Sequence, residues 1–244
     1  MASGPGIDLD IARKLYPGAA TPLLENLQLV LAPSSVVALV GPSGVGKSTI
    51  LRLLAGIDRD FAGSISIAGV PAHAAPPPGF VFQDPRLLPW LSAADNIMAV
   101  APGITPAMAQ AALAQVGLGA AAALYPHQLS GGMQRRVALA RAFSVNAGLL
   151  LLDEPFVSLD RILVADIQQV FALLIARSQP TVVLVTHLAD DAARLADRAV
   201  VLDGLPARLV ADIALPVPPA QRDETILADY RAQLEAARQR TYSL

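Results

Sequence analysis

A five-residue apolar run, Val36–Val40, leads without a break into Gly41-Pro42-Ser43-Gly44-Val45-Gly46-Lys47-Ser48-Thr49. Glycine, four residues, then Gly-Lys-Ser constrains the chain more than any other stretch. The glycines let the backbone curl until successive N–H groups converge, and a helix opening at Ser48 adds its dipole at the same point. Such a concavity suits phosphate. Lys47 is expected to meet the β- and γ-phosphates of a nucleotide, and Ser48 to hold Mg²⁺. Chance yields this pattern in roughly one chain in a hundred of this length, and the flanking strand and helix reduce that further. Lysine is otherwise scarce, with only Lys14 and Lys47 against sixteen arginines.

Three more short runs, Phe80–Phe82, Leu149–Leu152 and Val182–Val185, suit parallel strands buried on both faces. Helical segments alternate with them at Ser48–Ala55, Ile162–Ala176 and Leu188–Ala196. The alternation predicts an α/β fold with a mainly parallel sheet. Leu29–Leu31 and Ile65–Ile67 suggest an added antiparallel β section. From Asp84 to Arg141 the chain reads as an inserted helical lobe, with Thr105-Pro106 opening one helix and Gly117 closing it. Ala74–Pro78 and Leu215–Pro219 read as loops, and a terminal helix presents Ile226, Tyr230 and Leu234 on one face. The expected organisation is one nucleotide-binding domain over 1–214, its helical subdomain at about 84–140, and a C-terminal extension over 215–244. That extension is either a dimer contact or a solvent-exposed helix.

The 244 residues contain no cysteine, which excludes thiolate–zinc and redox roles. A formal charge of −2 offers no footprint for bulk nucleic-acid binding. The opening residues lack a basic start followed by an apolar run, so no secretory signal is expected. Mean hydropathy is +0.49, and Asn96 to Gln134 carries no Asp, Glu, Lys or Arg. Prolines, glycines and glutamines interrupt that stretch, which reads as a weakly charged lobe facing a partner, or as alanine-rich helix with none.

A phosphate loop alone could serve a kinase, a GTPase or a motor. Leu149–Leu152 ends in Asp153 and Glu154, where one acid can bind Mg²⁺ through water and the next can polarise an attacking water. The discriminating segment is Leu129-Ser130-Gly131-Gly132-Met133, just upstream of that strand. Ser130 and the amides of Gly131 and Gly132 form a second anion-binding helix opening. With it the chain resembles the ABC transporter ATPases, whose P-loop NTPase core carries this signature motif. The resemblance spans roughly Leu9 to Leu209. It implies that the signature clamps the γ-phosphate of ATP held by the other subunit of a dimer.

Further positions match the family in order. The resemblance makes Gln83 a sensor of Mg²⁺ and the attacking water, Asp160 a residue communicating across the dimer, and His187 a switch contacting the γ-phosphate. It places Tyr16 against adenine. Catalysis would thus rest on Glu154, His187, Gln83 and Lys47, with the metal at Ser48, Gln83 and Asp153. The sequence departs from the pattern at Arg135, where glutamine is usual, at Val157-Ser158, at Leu188 and at Ser34-Ser35. These departures bear on communication and rate.

The resemblance implies a homodimer of ATPase subunits at the cytoplasmic face of the inner membrane. Its helical subdomain would contact integral-membrane permease subunits, and an extracytoplasmic solute-binding protein would act indirectly. Leu87-Leu88-Pro89-Trp90 is similar to the subgroup serving nitrate, taurine and aliphatic-sulfonate importers. The rivals are a non-transport ABC ATPase acting on nucleic acid or ribosomes, and an ATP-binding regulatory module without turnover.

Overall fold

The computed structural model describes residues 4–157 and 161–239. Ser158 and Asp160 lie outside the described residues. Strands β1 (Ile7–Lys14) and β2 (Leu24–Leu31) pair antiparallel, and β3 (Val36–Val40) then opens the main sheet. The phosphate loop follows β3 and runs into helix α1 (Lys47–Leu54), which stops before Gly56 as its left-handed backbone demands. Strands β4 (Ala62–Ile67) and β5 (Val70–Pro71) complete a four-stranded antiparallel sheet in the order β2-β1-β4-β5.

The chain then crosses to β6 (Gly79–Val81), an edge of the main sheet. Helices α2 (Ala93–Met98), α3 (Pro106–Gln115) and α4 (Gly131–Ser144) build the inserted lobe, with Thr105 capping α3 through its side chain. After it come β7 (Leu149–Asp153), α5 (Arg161–Ser178), β8 (Thr181–Thr186), α6 (Ala189–Leu195), β9 (Arg198–Asp203), β10 (Arg208–Ala214) and α7 (Glu224–Gln239). The six-stranded sheet runs β10-β9-β3-β8-β7-β6 and is parallel except at β10. No helix among the described residues is long and apolar enough to cross a membrane.

Both faces of this sheet are covered, which is why its central strands are continuously apolar. Along β3, Val36, Ala38 and Val40 pack with α5, α6 and α7, while Val37 and Leu39 pack with α1 and the antiparallel sheet. Each large side chain so buried contributes roughly 1.5–3 kcal/mol. The lobe has its own core of Ile97, Leu113, Val116, Leu129 and Val137, joined to the body through Leu174 of α5.

Several expectations need correction. Strand β6 lies one residue earlier than Phe80–Phe82, because its ladder with β7 ends at Val81, and Phe82 instead stacks on Phe80 with Arg86 over its ring. Strands β1, β9 and β10 were not foreseen. In β1 exposed residues alternate with buried ones as far as Ile11, and Ala12 and Arg13 are both exposed, so it offers no continuous apolar run. The terminal helix is no solvent-exposed extension: Leu227, Tyr230 and Leu234 enter the main core, with Ile226 only half-buried.

Candidate active site

Four neighbouring parallel strands, β3, β8, β7 and β6, bring their carboxyl ends together, the usual place for ligands in an open α/β sheet. Each carries a residue singled out above. After β3 the loop turns at Gly44 and Gly46, with φ of 84° and 107°, a left-handed backbone that only glycine adopts without strain. Lys47 is buried at the start of α1, and its Nζ donates to the carbonyls of Gly41 and Pro42, each at 2.8 Å. Burial pushes its ammonium below the ordinary lysine range, against the pull of Glu154 and Asp153.

Ser48 Oγ donates to Asp153 Oδ1 at 2.8 Å, joining the loop to the end of β7. Burial pushes the Asp153 carboxyl up, the Ser48 hydrogen bond opposes this, and the Glu154 charge reinforces it. Glu154 has φ of 47°, in the left-handed region, and its amide is held by the Val185 carbonyl at 2.9 Å. A non-glycine residue in that conformation costs on the order of 1–3 kcal/mol, and such strain gathers at functional sites. The result aims the carboxylate between two neighbours. Oε1 lies 4.0 Å from Lys47 Nζ, and Oε2 lies 3.3 Å from His187 Nδ1. That imidazole nitrogen is buried and has no hydrogen-bond partner among the described residues.

Gln83, two residues past β6, is exposed and shares with Asp153 and Arg135 the wall of an open cleft. Tyr16 follows β1. Its hydroxyl lies 3.1 Å from Thr49 Oγ1 and accepts from Arg52, while the Lys14 ammonium sits 4.7 Å from the ring centroid. The tyrosine is therefore fixed to the helix that follows the phosphate loop.

The signature segment stands apart. Leu129 is buried in the lobe, Ser130 caps α4 by accepting from the Met133 amide, and Ser130 and Gly131 are exposed. Gly132 is buried and Met133 half-buried. Among the described residues no hydrogen bond joins Leu129–Met133 to Gly41–Thr49.

Sequence reasoning missed two contributors. Arg135 donates to the carbonyls of Pro155 (2.8 Å) and Val157 (2.9 Å), so it ties α4 to the turn after Glu154; its only sequence signal was its departure from glutamine. Asp191 is buried behind His187, accepting from Thr186 Oγ1 (2.7 Å) and Gln168 Nε2 (3.1 Å), while Thr186 Oγ1 accepts from the Leu188 amide (3.0 Å). Nothing in the sequence marks Asp191 as buried.

No group of three or more His, Cys, Asp or Glu among the described residues could hold a metal alone. Ser48 and Asp153 instead offer two adjacent hard oxygen donors, the sparse set that suits a magnesium ion ligated largely by phosphate and water. The donors fit the ion.

Residues 24–157 match the sequence model of the family described as ABC transporter. The chain is 43% identical over 235 residues to an aliphatic sulfonates import ATP-binding protein of Burkholderia lata, covering 94% of this chain and 85% of that one. It is 40% identical over 208 residues to a taurine import ATP-binding protein of Chromobacterium violaceum, covering 82% and 80%. Among solved structures it resembles a dimeric ATP-binding cassette in a post-hydrolysis state bound to ADP and Pi. That likeness has a TM-score of 0.73 at 28% identity and covers 85% of this chain and 98% of the other. The chain belongs to the ABC transporter family, as one of its ATP-binding, ATP-hydrolysing subunits.

Proposed function

We propose that this chain hydrolyses ATP to power import of a small oxyanion-bearing solute, an aliphatic sulfonate, taurine or nitrate, through a separate membrane permease. The observation carrying ATP hydrolysis is the convergence of Lys47, Asp153, Glu154 and His187 at the strand ends, while the Ser130 helix opening is exposed elsewhere. The solute class is supported by the likeness to aliphatic sulfonates and taurine import ATP-binding proteins. Half of a phosphate clamp in each of two places suits a homodimer. Each ATP lies between Gly41–Thr49 of one protomer and Ser130–Gly132 of its partner, so ATP binding supplies free energy for closure.

Within that sandwich the loop amides and Lys47 hold the β- and γ-phosphates. Tyr16 packs against the adenine. Ser48, with Asp153 and Gln83 through water, would hold a magnesium ion, which would supply positive charge against the charge developing on the phosphates. Glu154 accepts a hydrogen bond from the attacking water and orients it in line with the leaving group. His187, between Glu154 and the γ-phosphate, donates to the phosphate oxygen and keeps the carboxylate in place. Asp160 carries the state of one site to the other across the dimer.

The helical lobe contacts the permease. Trp90, 69% exposed, and the exposed Leu88 stand on the segment between Gln83 and α2, where a bound nucleotide can be felt. Their apolar surface gains from being covered. The subunit then sits peripherally on the cytoplasmic face of the inner membrane, and the solute-binding protein acts on it only through the permease.

The test is growth of a strain lacking this subunit, with taurine or an alkanesulfonate as sole sulfur source and, separately, nitrate as sole nitrogen source. A defect on one source, restored by the wild-type gene and not by Glu154→Gln, is the expected outcome. Normal growth on all three, with no redundant importer present, removes the solute assignment.

A further inference from the structure

Helix α7 lies outside the residues matched by the family model, yet it reaches the site. Its attachment begins at Arg222, whose guanidinium donates to the carbonyls of Ala193 and Ala196 at the end of α6 and to those of Leu215 and Val217. Leu227, Tyr230 and Leu234 then bury one face of the helix in the core. At the other end of α6, Asp190 accepts from Arg231 (2.9 Å) and from Arg194 (2.8 Å), and both arginines also reach Glu224. The helix therefore grips α6 at both ends.

Two turns beyond Arg231 along α7, Arg238 Nη1 donates to the backbone carbonyl of His187 at 3.0 Å, across 51 residues of sequence. The same guanidinium lies close enough to Lys47 to lower that ammonium's proton affinity. His187 is thus held from two directions. Thr186 and Asp191 fix the segment from within the β8–α6 turn, and Arg238 fixes it from α7. The side chain between these anchors is the one whose buried Nδ1 has no hydrogen-bond partner and sits 3.3 Å from Glu154.

We propose that Arg238 is a positioning residue for ATP hydrolysis: by holding the His187 carbonyl it sets where the imidazole stands against Glu154 and the terminal phosphate. The inference rests on the reading of His187 as the phosphate contact. The helix supplies the rigid support, and Arg238 delivers it to the reacting end of the site. A side chain displaced by about 1 Å at such a point can cost up to about 100-fold in rate. Losing one of two anchors shifts the segment less, so a smaller change follows.

The experiment compares Arg238→Ala, Arg238→Lys and His187→Ala in the full chain, measuring kcat, KM for ATP and thermal unfolding. Arg238→Ala is expected to lower kcat about fivefold, with KM within about twofold and a fall in unfolding temperature of only a few degrees. Arg238→Lys, which keeps a charged donor, restores most of the rate. An unaltered kcat in Arg238→Ala overturns the proposal. So does a loss that accompanies a larger fall in unfolding temperature and is not restored by lysine. Wild-type turnover in His187→Ala would remove the reading of His187 itself. A dead His187→Ala beside a fully active Arg238→Ala removes only the role of Arg238.

Discussion

The phosphate loop and the signature segment are both glycine-containing openings of a helix, yet their surroundings differ. Around the loop, although Ser43 and Gly44 are exposed, the polar groups at its helix end are buried or half-buried and paired within the chain: Lys47 with two carbonyls, Ser48 with Asp153, the Glu154 amide with Val185. Around the signature, Ser130 and Gly131 face solvent and are held only by the local cap of α4. The first region is a finished binding surface. The second is a surface with no ligand-facing partner on its own chain among the described residues. Nucleotide affinity should therefore reside in one, and completion of the reaction should need both.

The largest expected effect is in the finished half. Glu154→Gln removes the carboxylate proposed to orient water but keeps the shape, and should slow hydrolysis by about 10²–10⁴-fold while leaving ATP binding intact. The ATP-bound dimer should then accumulate on size-exclusion chromatography. A Glu154→Gln protein that stayed monomeric with ATP and hydrolysed it normally would remove both the role of Glu154 and the two-chain site.

The unfinished half can be tested by repelling the phosphate it is proposed to hold. A Cβ at Gly131 meets no neighbouring atom, so Gly131→Asp fits, and a carboxylate there stabilises the start of α4. It should also repel phosphate, lowering hydrolysis about 100-fold. Lys47→Ala should do the same from the loop side. In an equimolar mixture half of the dimers carry one of each chain, and one of their two sites combines an intact loop with an intact signature. Activity should recover to about a quarter of wild type for a symmetric dimer with independent sites. Recovery would show that the site is shared between chains; no recovery would mean either that each chain completes its own site or that one complete site does not turn over while the other is broken.

How far this division was legible depends on whether a residue's role is local. The phosphate loop, the acids closing β7 and the cap of α3 are written in consecutive residues, because the backbone geometry they need is fixed within a few positions. The central strands were readable because burial on both faces leaves a continuous apolar run. Strand β1 was not, since Asp8, Asp10 and Arg13 alternate with its buried residues. The partners of Arg135 and Arg238 were not either, because these long side chains end on backbone carbonyls, which every residue carries and no sequence marks. Asp191 belongs with them: an acid near the start of a helix reads as a surface residue until the helix is docked.

Arg135 is the bridge between the two regions, running from the signature helix to the turn after Glu154. Arg135→Ala leaves the Pro155 and Val157 carbonyls without their charged donor and should cost about 2 kcal/mol of stability. Hydrolysis should fall several-fold more than ATP binding, because the loop is left intact. Arg135→Gln retains an uncharged amide donor without the guanidinium fork and should lie between wild type and Arg135→Ala. Denaturant melts alongside steady-state ATPase assays measure both, and an equal loss of binding and turnover would show that the bridge serves the nucleotide half alone.

The change expected to move turnover least concerns pH, acts on stability, and should separate the regions too. Desolvation raises the Asp191 carboxyl to about 6, with the Asp190 charge adding to it and the Thr186 hydrogen bond opposing it. Between about pH 4 and 6 the folded protein then holds a proton that the unfolded chain has released, so this group's contribution to stability falls as pH rises through that window. From the size of the shift the fall is about 2–3 kcal/mol. Asp191→Asn cannot titrate, so measured against wild type it should gain that amount from pH 4 to pH 7, whatever the other carboxylates contribute. Amide exchange in β8 and α6, corrected for its intrinsic pH dependence, should follow the same curve in wild type. The amides of α3 should not, because Asn96 to Gln134 holds no Asp, Glu, Lys or Arg. A curve shared by α3 and β8 would mean that the two regions unfold as one unit, and that their different surroundings do not make them energetically separate.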